Sequence, residues 1–85
     1  MTHKHFDDFL AEAVQKEPGH QKGLSLDELY GLYTSWCLLN GHDPEKPEAL
    51  WTALWSRNID PGQNDLAMKG PAAVDYIVAS APNLV

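Results

Sequence analysis

Eighty-five residues enclose about one small core, and a hydrophobic fraction of 44% is too high for a disordered chain, so a single domain over residues 1–85 is expected. Twelve acidic side chains against six basic ones leave a formal charge of −6, and Lys4, Lys16, Lys22, Lys46, Arg57 and Lys69 stand singly, which disfavours general attraction to phosphates or anionic lipid. No apolar run approaches the roughly 20 residues that span a bilayer, no signal-peptide core follows Met1, and a lone Cys37 excludes an intrachain disulfide, so the cytoplasm is the expected location.

Phe6, Phe9, Leu10, Ala13 and Val14 recur at helical spacing, with Asp7 and Asp8 in the first turn, where the helix dipole favours anions. This first helix is expected to run to Glu17-Pro18-Gly19, followed by an exposed loop from His20 to Gly23. The second helix, Leu26 to Asn40, carries the strongest local signals. Ser25 and Glu28 form a capping box, Leu24 and Leu29 a hydrophobic staple, and Asn40-Gly41 a stop with Pro44 soon after. Leu26, Leu29, Tyr30, Tyr33 and Cys37 share one arc, which Leu32, Trp36 and Leu39 widen to around half the circumference. A stripe that broad predicts a central helix with two neighbours.

A third helix is predicted from Pro47, with Leu50, Trp51, Leu54 and Trp55 inward, Arg57 suited to its C-terminal dipole and Asn58 as its stop. Asp60-Pro61-Gly62 reads as a turn. Leu66-Ala67-Met68 fits a short strand. The tail supports two readings: Pro71-Ala72-Ala73 opens a helix with Val74, Ile77 and Val78 on one face, whereas Val74, Tyr76 and Val78 also alternate as a strand would. The helix is the favoured reading, with a β-wing as the alternative, and Ala81-Pro82 ends either element. The fold class expected is mainly α: a three-helix bundle of helix-turn-helix type, a short strand, and a fourth helix or β-wing.

Little in the chain suggests catalysis. None of the usual paired Cys/His zinc spacings is present, and His3 and His5 fit an N-terminal tail, so no metal or other cofactor is expected. Cys37 falls on the buried arc, where a free thiol acts as a small hydrophobe with nothing basic a turn away to activate it. The carboxylates occupy helix first turns and polar faces, and no phosphate-cradling glycine loop or nucleophile elbow appears. The reading is a non-enzyme. Most aromatics sit at core spacing. Trp36 and Trp55, each at the edge of its arc, are the candidates for an exposed anchor to a protein partner.

The runs Phe9-Leu10-x-x-Ala13-Val14, Ser25-Leu26-x-Glu28-Leu29-Tyr30-x-x-Tyr33-x-x-Trp36-Cys37 and Asn40-Gly41-x-x-Pro44 carry a family resemblance. Over about residues 6–58 the chain resembles the small winged-helix domain at the C-terminus of phage- and plasmid-type DNA primase-helicases, and stand-alone relatives carried by mobile elements. The resemblance implies a non-catalytic accessory role in replication, binding DNA or a replication partner, with the third helix and a following wing at the DNA. Lys46, Thr52, Ser56, Arg57 and Lys69 are the side chains in that region suited to DNA contacts. The acidic charge supports an alternative, a protein-interaction module or homodimer that binds no nucleic acid.

Overall fold

The computed structural model describes residues 4–17 and 23–80, so the proposed stop at Pro18-Gly19, the loop from His20, the terminator Ala81-Pro82 and His3 lie outside the described residues. The element order is α1 (Lys4–Ala13), β1 (Val14–Lys16), α2 (Leu26–Asn40), α3 (Pro47–Trp55), β2 (Leu66–Met68) and α4 (Gly70–Ser80). The chain is mainly helical, with one small antiparallel sheet that pairs Val14 with Met68, Gln15 with Ala67 and Lys16 with Leu66.

The first helix is shorter than its periodicity suggests. Lys69 N–H donates to Ala13 C=O at 2.8 Å, and Glu17 N–H donates to Asp65 C=O at 2.7 Å. Ala13 C=O and Glu17 N–H would pair with each other one turn on in a helix. Both are taken by the chain around β2, and the β-branched Val14 suits the change to strand. His5, expected in a tail, belongs to α1 and is half-buried against α2.

The second helix has the predicted ends. Glu28 N–H donates to Ser25 Oγ at 3.1 Å, and Ser25 N–H donates to Glu28 Oε1 at 2.9 Å. At the other end Gly41 adopts φ 72°, and His42 N–H closes on Cys37 C=O at 2.9 Å. Leu29, Leu32, Tyr33, Trp36 and Cys37 are buried, whereas Leu26 and Leu39 face outward. The third helix starts at Pro47 with Lys46 at the cap and ends at Trp55. Beyond it Asn58 takes φ 61°, and Ile59 N–H returns to Leu54 C=O at 2.9 Å, the same left-handed closure that Gly41 supplies to α2.

The buried apolar residues form one cluster drawn from all four helices and both strands. Its centre is aromatic: Phe9 meets Tyr33 at 5.4 Å and Trp36 at 5.9 Å in edge-to-face arrangement, and Phe6 lies tilted on Tyr33 at 5.5 Å. Residues 70–80 are helical, not a wing. Ala72, Ala73 and Tyr76 face inward, and the Tyr76 ring lies against the backbone of Gly31, where a Cβ would collide with it. Small side chains on α4 and a glycine on α2 therefore let the two helices pack closely. Among the described residues no helix is long and apolar enough to cross a membrane.

Candidate interaction surface

Because Ala72, Ala73 and Tyr76 are turned inward, the branched aliphatic side chains of α4 are left outside. Val74 is 62% exposed, Ile77 57% and Val78 70%. At i, i+3 and i+4 they are neighbours on one face of the helix. Beside this face Leu38 of α2, 75% exposed, lines a cleft of about 430 Å³ with Ser35, His42 and Asp43, and α4 contributes Asp75 and Ala79 to it. Asp75 is the one charged side chain on α4. A helix apolar on both sides is ordinarily covered on both sides.

The residues suited to DNA do not gather into one patch. Thr52 and Ser56 stand a turn apart on the exposed side of α3. Ser56 Oγ donates to Ala53 C=O at 2.7 Å, and Arg57 donates to the same carbonyl at 2.6 Å. The Arg57 guanidinium also forms an ion pair with Asp7 of α1, so its charge is locally neutralised. Lys46 caps the far end of α3, about 15 Å away at 1.5 Å per residue. Lys69 lies beside the end of α1, where its backbone joins Ala13.

The two tryptophans singled out as anchors differ. Trp36 is only 3% exposed; its indole N–H donates to Glu12 Oε1 at 2.8 Å and its ring stacks on His42 at 5.2 Å, so it is a core residue and not an exposed anchor. Its place at the edge of the α2 arc is covered by α1, which supplies both Phe9 and Glu12. Trp55 is 57% exposed.

A polar knot sits under the loop after α2. The Tyr33 hydroxyl accepts from Glu45 N–H at 2.8 Å and meets His5 Nε2 at 2.9 Å. The His5 ring is stacked against Tyr33, Trp36 and His42. Burial pushes the Tyr33 phenol above its ordinary 10.0, although the Glu45 amide bond pulls the other way. Burial likewise raises the Cys37 thiol above its ordinary 9.0, with Glu45 and Asp43 adding to the rise and the Tyr33 hydroxyl opposing it. Among the described residues no three His, Cys, Asp or Glu side chains are arranged to hold a metal ion.

These shifts predict an alkaline weakness. Both groups stay protonated in the fold but ionise in the unfolded chain, so their contribution is intact below the unfolded values and falls as pH rises beyond them. The urea midpoint of unfolding is expected to drop from about pH 8 to about pH 10, and Cys37→Ala with Tyr33→Phe should flatten that drop. An equal decline in the double variant would show that other groups cause it. Native Cys37 should also resist alkylation at about pH 8 and react once urea opens the core.

No family model, no curated protein and no solved structure matches the chain.

Proposed function

We propose that this chain is a non-catalytic accessory module that docks a basic, apolar-faced helix of a protein partner along the outer face of α4. The observation that carries this reading is the outward set of Val74, Ile77 and Val78, beside a cleft lined by Leu38 of α2 and by Asp75 and Ala79 of α4. Fully burying each such side chain is worth about 1.5–3 kcal/mol, enough together to hold a transient partner. Charge selects the partner. Asp43 and Asp75 line the cleft and the chain carries −6, so a second copy would bring like charge to the seam while a basic helix would find its complement. An amphipathic helix laid in a groove, anchored at i, i+3, i+4 and i+7, fits this geometry. The resemblance to primase-helicase accessory domains supports a replication protein as the source of that helix.

A synthetic helix with leucine at those four positions and lysine elsewhere tests the reading. Val74→Asp with Ile77→Asp changes only exposed positions and is expected to weaken binding at least about tenfold. Equal binding by the double variant, or by a peptide with glutamate in place of lysine, would remove the proposal. Mass that rises with concentration in sedimentation, and falls in the double variant, would replace the partner by a second copy.

The exposed Lys46 at the cap of α3 and Thr52 on it favour a second reading, DNA binding through that helix. It predicts duplex binding at low salt that weakens steeply as salt rises and is lost in Lys46→Glu with Arg57→Glu. A duplex titration that stays flat at low salt ends this reading.

A further inference from the structure

A second apolar surface lies away from α4. Trp51 and Trp55 on α3, Leu26 at the start of α2 and the Asp60-Pro61-Gly62 turn line an open groove of about 210 Å³. The groove is built on fixed parts. Trp51 is half-buried with its ring edge-on to Tyr30 at 6.4 Å, and Pro61 is buried within a turn closed by Gly62 N–H on Asp60 Oδ1 at 2.8 Å. Trp55 and Leu26 form its exposed walls.

Three features define what would fill it. The volume is below the roughly 300 Å³ at which small-molecule pockets begin, so an enclosed ligand does not fit. Trp51 and Trp55 are four residues apart on one helix, so they present a platform and not the facing walls of a cation cage. Neither indole N–H has a hydrogen-bond partner among the described residues, leaving two donors free at the groove. Flat rings with free indole donors suit the polyproline II ridge, whose prolines stack on the rings and whose carbonyls have no internal partner. The rim is acidic. Asp60 lines the groove, Glu48 stands on the Trp51 and Trp55 stripe of α3, Asp27 follows Leu26, and among the described residues no Lys or Arg lines the groove.

We infer that this groove binds an extended, proline-bearing peptide flanked by basic residues. The occupant differs from the helix proposed for α4, and the two surfaces stand or fall separately. The probe is a nonapeptide of three Pro-Pro-Lys triplets, with three Ala-Ala-Lys triplets as its equally charged control. Binding is followed through the indole N–H resonances, for which buried Trp36 serves as internal reference. Saturable shifts are expected at Trp51 and Trp55 but not at Trp36. The control should bind at least about tenfold more weakly. Trp55→Ala and Glu48→Lys, both at exposed positions, should each lower affinity by a similar factor, whereas Val74→Asp with Ile77→Asp should leave it unchanged. Equal shifts with the alanine control would show charge attraction without proline recognition. That result, or no saturable shift at Trp51 and Trp55, would overturn the inference.

Discussion

Replacing Phe9 by alanine is expected to destabilise the fold by about 3–5 kcal/mol, the usual cost of emptying a buried phenylalanine site. A domain of this size has a total stability of roughly 4–13 kcal/mol at 0.05–0.15 kcal/mol per residue, so this variant loses a large part of it. The reason lies in where Phe9 sits. It is fully buried, and it packs edge-to-face with both Tyr33 and Trp36. Its removal strips packing from both large α2 aromatics at once. Those rings cannot slide into the space, because the Tyr33 hydroxyl is tied to Glu45 N–H and the Trp36 indole to Glu12. Collapse around the cavity is therefore restricted, which places the cost toward the upper end of the range. Urea unfolding followed by helical signal measures it, with Leu39→Ala at an exposed position as the control. Midpoints that match between the two variants would contradict the packing described.

The legible parts of this fold are those specified by local chemistry. Ser25 and Glu28, and the Asn40-Gly41 pair, place the ends of α2 within the sequence because cap bonds reach only a few residues. Pro47 does the same for α3 and Pro71 for α4. The elements that sequence placed wrongly depend on distant partners. Val14 continues the apolar spacing of α1 equally well as helix or strand, and only β2, more than fifty residues on, decides between them. A lone strand at Leu66–Met68 requires a partner, but nothing local says which segment supplies it.

The candidate surface was half legible for a similar reason. Val74, Ile77 and Val78 form an apolar stripe that sequence alone reads as a core face, since such stripes normally point inward. The rival face of Ala72, Ala73 and Tyr76 is smaller and less apolar, yet it wins because Gly31 lets it approach closely. Helix direction here is set by fit and not by hydrophobicity. The ion pair of Arg57 with Asp7 was equally hidden, since fifty residues separate the two.

Asn64 is expected to be among the residues least tolerant of change outside the aromatic core. Its side-chain Oδ1 accepts from Leu24 N–H at 2.9 Å and from Leu66 N–H at 3.1 Å. Its Nδ2 donates to Leu24 C=O at 3.0 Å, and at 3.2 and 3.3 Å to the carbonyls of Asp60 and Pro61. One amide thereby joins the entry to α2, the turn at Pro61 and the start of β2. Asn64→Asp keeps the shape but has no donor, so three carbonyls would face a carboxylate. The expected cost is about 2–4 kcal/mol, from roughly 1–3 kcal/mol for each buried group left unpaired, reduced where water reaches the site. Acid should relieve part of it. The carbonyls disfavour the charged form, so the introduced carboxyl is held above its usual range and regains a donor as it protonates. The deficit against the parent chain should narrow as pH falls toward about 4, whereas Asn64→Ala should show no such recovery. Identical pH profiles for the two variants would count against the donor role of Nδ2. The same amide holds Pro61 beside Leu26 and the α3 tryptophans. Asn64→Asp at neutral pH should therefore loosen the groove and broaden the Trp55 indole resonance before the aromatic core itself unfolds.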